Sequence, residues 1–168
     1  MHIVILSVVV LVLALTIVSV TFIVGMRRKV PFVLNAVRRS GRAMKPLILR
    51  RAGAAESPTA VVEHVGRTSG RQYETPVVAT KIDDGYAIAL PYGPNTDWLK
   101  NVLAAGRVTL RHGGAAHQLE SPEVVALDLV DARFADKDQR LHRRFGVRDA
   151  LVLRTANLRS AAEQALVD

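Results

Sequence analysis

At 168 residues the chain supports one domain with a real hydrophobic core. Its net charge of +8 is confined: nine Lys or Arg and no acidic residue fall between Arg27 and Arg51, whereas fourteen basic and fifteen acidic residues occur from Ala52 onward. A near-neutral main body with few aromatics argues against nucleic acid as a partner, and the absence of cysteine excludes disulfides, thiolate metal sites and a cysteine nucleophile while fitting a reducing compartment.

Residues 3–25 read IVILSVVVLVLALTIVSVTFIVG without a charge. At about 1.5 Å per residue such a helix spans roughly 35 Å, enough for the hydrocarbon core of a bilayer. A cleaved signal peptide is the competing reading, but no Lys or Arg precedes the apolar run and MRRK follows it in place of an A-x-A site. We therefore expect an uncleaved transmembrane helix over residues 1–26. The Arg27-Arg28-Lys29 cluster puts the remainder on the cytoplasmic side by the positive-inside bias.

Residues 27–55 form a basic juxtamembrane segment. Val30, Val33, Leu34, Val37, Met44 and Ile48 fall on one helical face, and Arg38, Arg39, Arg42 and Lys45 on the other. Two placements suit it: on the membrane surface, with its cations near anionic lipid headgroups, or with its apolar side on the domain. Pro46 is expected to break or kink it, and AGAAESP reads as a linker.

The main domain is expected over residues 56–168. TAVVEHV reads as a strand, followed by the loop GRTSGR. ETPVVATKI and YAIALPY read as two strands joined by a hairpin at Asp83-Asp84-Gly85. A short helix follows in PNTDWLKNVLAAG, its start capped by Asn95, Thr96 or Asp97 and its end by Gly106. RVTLRH and AAHQLE form a second hairpin around Gly113-Gly114, with His112 and His117 facing each other across it, and PEVVAL is a further strand. ARFADKDQRLHRRFG is helical, ALVLRTA is a last strand, and a short C-terminal helix closes the chain. Hairpin strands with inserted helices imply an α+β domain around a small antiparallel barrel.

The chemistry-bearing residues exclude several classes. GRTSG has its serine one place late for a nucleophile elbow, and lacks dinucleotide and Walker spacings. The five histidines show no usual zinc spacing, so no metal site is expected, and no paired-carboxylate or Ser-His-Asp arrangement stands out. GRTSG does suit anion recognition. Glycines let backbone N–H groups approach an oxyanion, Thr68 and Ser69 add hydroxyls, and Arg67 and Arg71 add forked cationic donors. On chemistry alone, a solvated turn with two surface arginines is the commoner outcome for such a stretch.

The succession GRTSGRQYETPV, the DDG hairpin, LPYG, DWLKNVLAAG and the closing hairpin resembles the deazaflavin-dependent nitroreductase family, within the flavin/deazaflavin oxidoreductases. The match covers about residues 61–125 and the ALVLRTA strand. The resemblance implies a split β-barrel fold and reduced coenzyme F420, a deazaflavin with a phosphate and an oligoglutamate tail, as hydride donor to a small acceptor such as a quinone, nitro or unsaturated compound. It implies that Arg67, Thr68 and Ser69 form the phosphate loop with Arg71 beside it. Tyr73, Glu74, Thr75 and Pro76 would run along the coenzyme, and Leu90, Pro91, Tyr92 and Gly93 along its ring. Asp97, Trp98 and Asn101 would border the pocket from a helix. Family members often pair their barrels, so a homodimer is a further expectation.

Two departures stand out. Many members have Lys where Thr68 stands, and the nitro-reducing members use a late tyrosine that this chain, with only Tyr73, Tyr86 and Tyr92, lacks. Activity on nitroimidazoles is therefore not expected, and no catalytic acid is assigned. The alternatives are the same barrel using FMN, and a non-catalytic membrane-tethered protein that holds a cofactor or lipid.

Overall fold

The computed structural model describes residues 2–156; the expected C-terminal helix lies outside them. Two helices come first, α1 (His2–Arg27) and α2 (Pro31–Leu49). Seven strands follow: β1 (Ala60–Val65), β2 (Gln72–Val77), β3 (Ala79–Ile82), β4 (Gly85–Ala89), β5 (Arg107–His112), β6 (Ala115–Ala126) and β7 (Asp149–Thr155). Helix α3 (Asp97–Ala105) lies between β4 and β5, and α4 (Asp136–Phe145) between β6 and β7.

All the strand pairs are antiparallel, in the order β2-β1-β5-β6-β7-β4-β3. The two edge strands, β2 and β3, are separated in sequence only by Val78. A sheet whose opposite edges are joined by one residue has to curl on itself, and the core shows that it does. Ala60 and Val62 of β1, Ala79 of β3, Ile88 of β4, Leu110 of β5, Leu119 of β6 and Leu153 of β7 all meet in one buried cluster. Leu99 and Val102 of α3 complete it, and Val77 of β2 and Trp98 pack on its margin. The result is the α+β split-barrel architecture expected from the sequence. A second, smaller cluster covers the outer face of β4 and β7, where Ala87 and Ala150 meet Leu127 and Phe134.

Several local expectations change. ETPVVATKI is two strands, not one, because Val78 carries the chain from one sheet edge to the other. PEVVAL is the second half of β6, which bends at a bulge between Glu120 and Glu123, where Ser121 takes a φ of 52°. His112 and His117 are not register partners: Leu110 faces His117, and His112 faces Ala115. Both rings instead approach Tyr86, whose hydroxyl lies 3.2 Å from His117 Nε2. Thr96 occupies the N-cap position of α3 but makes no side-chain cap bond; Gly106 ends the helix with the expected left-handed φ of 68°.

α1 is long and apolar enough over Val4–Arg27 to cross a membrane, and its most apolar stretch is not buried anywhere in the protein. Only its C-terminal end docks. Phe22 meets Phe145 edge to face at 6.1 Å, Met26 is buried, and Arg27 Nη1 donates to the Arg143 carbonyl at 3.1 Å. Helix α2 runs through Pro46, so the break expected there as one of two outcomes does not occur. Pro46 is exposed, so the helical donor it cannot offer to the Arg42 carbonyl is missing on a solvent-facing side. α2 packs Leu34 into the protein and lies against β2.

Candidate functional site

The β1–β2 hairpin ends in residues 66–71. Gly66 N–H donates to the Arg71 carbonyl at 2.8 Å, and Gly70 N–H to the Gly66 carbonyl at 2.9 Å. Gly70 has a φ of 66°, a conformation that favours glycine. A Cβ on Gly66 would meet Tyr73 Cε2 at 2.8 Å and run into Ser69 Oγ, so this position has room only for hydrogen. The tight turn leaves Thr68, Ser69 and Arg71 exposed on the outside of the hairpin tip.

Arg67 is held differently. Its backbone N–H and its Nη1 both donate to Asn101 Oδ1 of α3, at 3.2 and 2.9 Å. Its guanidinium also meets the Asp97 carbonyl and carboxylate at 3.4 Å each. The Asp97 side chain is 91% exposed, and such surface pairs contribute at most about 1 kcal/mol. Asn101 is the stronger anchor because it is buried, and a buried amide left unpaired costs about 1–3 kcal/mol.

The network runs deeper than the motif. Asn101 Nδ2 lies 3.2 Å from His64 Nδ1, and His64 Nε2 lies 3.1 Å from Thr75 Oγ1. His64 is also buried and stacks on Tyr73 with ring centroids 5.8 Å apart. His64 and Tyr73 are register partners on the barrel-facing side of β1 and β2. Glu74 is on the other side, where Arg111 meets it at 2.5 Å and Glu63 at 2.6 Å. The period of two along β2 puts Pro76 with Glu74, so these two expected site residues are not brought together with Tyr73 and Thr75.

Leu90, Pro91, Tyr92 and Gly93 lie at the end of β4. Leu90 is a core residue, while Pro91, Tyr92 and Gly93 are half-buried around a turn closed by Gly93 N–H on the Leu90 carbonyl at 2.9 Å. Burial pushes the Tyr92 phenol above its ordinary pKa, against a smaller opposing effect of Arg38. Its hydroxyl therefore stays protonated at neutral pH. Lys29 Nζ donates to the Pro91 carbonyl at 2.7 Å, and Arg38 Nη2 to the Tyr92 carbonyl at 3.3 Å. Burial lowers the Lys29 pKa, an effect that Asp149 opposes and Arg148 reinforces.

Thus two of the cations placed by pattern on the outward side of α2 turn inward. Arg38 reaches the Leu90–Gly93 turn, and Lys45, two turns further along, lies close enough to His64 to disfavour its protonation. His64, Lys29, Arg38 and Lys45 were not singled out as site residues from the sequence. The available signal for His64 was its inward parity with Ala60 and Val62 in AVVEHV, just before the glycine-flanked loop. Two buried polar atoms, Arg38 Nε beside this turn and Thr96 Oγ1 at the N-cap of α3, have no hydrogen-bond partner. Among the described residues there is no cluster of three metal-ligating side chains.

Residues 37–159 match the family described as F420H(2)-dependent quinone reductase. No curated protein matches the chain significantly. Among solved structures, one described as a domain-swapped dimer is 14% identical over 69% of this chain and 98% of its own, with a TM-score of 0.47. A structure described as an F420 reductase is 13% identical over 61% of this chain and 90% of its own, with a TM-score of 0.43. The heme storage protein HutZ of Vibrio cholerae is 12% identical over 61% of this chain and 84% of its own, with a TM-score of 0.45.

Proposed function

Because the chain belongs to the F420H(2)-dependent quinone reductase family, an oxidoreductase family with coenzyme F420 as its cofactor, we propose that it is a membrane-tethered reductase that passes a hydride from reduced F420 to a quinone or a similarly lipophilic acceptor. The observation that carries the site assignment is the anchoring of Arg67 to buried Asn101. It holds a cation and two backbone turns rigidly at a hairpin tip whose outer side offers Thr68, Ser69 and Arg71.

The residues present suit this coenzyme. Its phosphate and glutamate carboxylates are anionic, and in this reading Arg67 and Arg71 at the hairpin tip, Lys45 beside His64 and Arg38 at the Leu90–Gly93 turn form a cationic border for them. In this reading Arg67, Thr68, Ser69 and Arg71 hold the phosphate, Tyr73, Thr75, Asp97, Trp98 and Asn101 line the approach, and Pro91, Tyr92 and Gly93 flank the ring. Glu74 and Pro76 contribute through the strand and not by contact. When bound, the reduced coenzyme supplies the hydride; the chain's part is to bind, orient and exclude water. Tyr92 would offer the bound coenzyme a protonated hydroxyl, and Thr75 a hydroxyl from the barrel side.

The membrane part rests on α1. An unburied apolar helix of this length is stable only in a nonpolar medium, and the cations that follow it favour the cytoplasmic leaflet. A tether of this kind brings the barrel to acceptors dissolved in the bilayer. The test is oxidation of reduced F420 by the full chain in lipid discs with a short-chain quinone. We expect quinone-dependent loss of the reduced coenzyme. Tight F420 binding without turnover on quinone, nitro and unsaturated acceptors would replace the reductase by a coenzyme carrier.

A further inference from the structure

We propose that His64, held as the neutral tautomer with its proton on Nε2, is a positioning residue that aims Asn101 at Arg67 and leaves the Thr75 hydroxyl its own hydrogen to donate. The inference rests on loop 66–71 being the phosphate cradle. It follows from counting donors. Two N–H groups of Arg67 converge on one atom of the Asn101 amide, which must therefore be the oxygen. The other amide atom is then NH2, a donor only, so His64 Nδ1 opposite it at 3.2 Å must accept. An accepting Nδ1 leaves the proton on Nε2, which donates to Thr75 Oγ1 at 3.1 Å. Thr75 spends a lone pair on that bond, and its own hydrogen remains to be donated elsewhere.

His64 and Asn101 are both buried, so neither can exchange these partners for water without local opening. A doubly protonated His64 would set two donors against each other at Asn101. The amide would then have to flip, and its NH2 would face the two donors of Arg67. Protonation of His64 and a fixed Arg67 are thus incompatible. Around His64 stand Lys45 of α2, Tyr73 of β2 and, beyond Asn101, Arg67. Glu63 and Glu74 lie on the other face of the hairpin, engaged with Arg111, and offer the imidazole no counter-charge. Burial, and then Lys45, lower the His64 pKa below the ordinary histidine value. The neutral form therefore prevails through the neutral range, and the network weakens only as pH falls through that lowered pKa.

The experiment titrates the full chain with F420 at about pH 7.5 and about pH 5, either side of the histidine range, for wild type, His64→Leu, His64→Gln and Arg67→Ala. Variant-to-wild-type ratios at each pH cancel titration of the coenzyme itself. His64→Leu is expected to bind about five- to tenfold more weakly at the higher pH, the cost of one or two buried hydrogen bonds. His64→Gln, neutral at any pH, should restore most of that affinity and lose less on acidification than wild type. Imidazole nitrogen chemical shifts of the coenzyme-free protein should show a neutral ring protonated at Nε2. A charged ring at the higher pH, or a proton on Nδ1, overturns the proposal whether or not the leucine variant folds. Weakened binding by Arg67→Ala together with wild-type binding by His64→Leu also ends it, and leaves the cradle standing. Wild-type binding by Arg67→Ala ends the cradle itself.

Discussion

Arg67 and Arg71 carry the same charge four residues apart, yet they are different kinds of residue. Arg67 is fixed by a buried amide, so in the proposed cradle its guanidinium would meet a phosphate without first losing side-chain freedom. Arg71 is exposed and has to be ordered by the ligand. Replacing Arg67 by Ala should therefore weaken F420 binding by about 1.5–3 kcal/mol, the scale of a hydrogen bond to a charged group, or about ten- to a hundredfold. Arg71→Ala should cost less, and its effect should shrink as salt screens exposed charge. Ser69→Ala removes one neutral donor and should cost least. Titrating the three variants at two salt concentrations checks the order, and equal losses for the two arginines would contradict it. This much of the candidate site is legible as a pattern, because a glycine-flanked loop with cations and hydroxyls is a local feature. His64 is not, since its role comes from an asparagine 37 residues away. The face that Glu74 takes is hidden for a similar reason: a motif gives order along the chain, and only the cross-strand register of β1 with β2 reveals which face each residue takes.

At the scale of elements, glycine positions separate packing from conformation. Gly85 begins β4 with its backbone pressed against β7, and a Cβ there would run into the Leu153 carbonyl oxygen and lie 2.9 Å from Arg154 Cα. Both obstacles are backbone in the central part of the sheet and cannot swing aside. Gly85→Ala should therefore destabilise by about 1–3 kcal/mol or more, as overpacking does. Gly41 is the contrast. It sits inside α2, and a Cβ there would have nothing within 4 Å, so Gly41→Ala should stabilise the helix by about 0.5–1 kcal/mol. Chemical denaturation of both variants tests the pair; a neutral Gly85→Ala would mean that the β4–β7 ladder yields more than its geometry suggests. The strands themselves were readable from apolar alternation and paired turn residues. What hid the break at Val78 is that QYETPV and ATKI are both good strand sequence with no Gly or Pro between them. The change of sheet edge is imposed by barrel closure, a tertiary constraint with no local mark. Pro46 departs in the opposite sense: the local breaker signal does not end the helix, because its missing donor falls on an exposed side while α2 docks through Leu34 and Arg38.

At the scale of the whole molecule, the projecting apolar helix is joined to the candidate site through a short, stiff connection. Between α1 and α2 the chain turns at Lys29, which has a φ of 53°, and Gly25 is packed directly against Val33. From that corner Lys29 and Arg38 both grip backbone carbonyls of the Leu90–Gly93 turn. The barrel is thereby held at a set distance from the end of the apolar helix, and α2 serves at once as spacer and as one wall of the proposed coenzyme site. The two N-terminal helices should then be separable by truncation. Removing residues 2–21 deletes only the projecting part of α1 and keeps the Met26 and Lys29 contacts. This variant should leave the membrane fraction yet bind F420 as the full chain does, and oxidise it with a water-soluble quinone. Removing residues 2–49 also strips Arg38 and Lys45 from the border, and should weaken F420 binding by about tenfold or more, as loss of two charged contacts implies. Fractionation and coenzyme titration of the two truncations, with a C-terminal reporter reading the cytoplasmic side in the full chain, complete the test. If the shorter truncation stayed with the membrane, α1 would not be the tether. If the longer one bound F420 like the full chain, α2 would be a spacer alone, and the cationic border would end at Arg67 and Arg71.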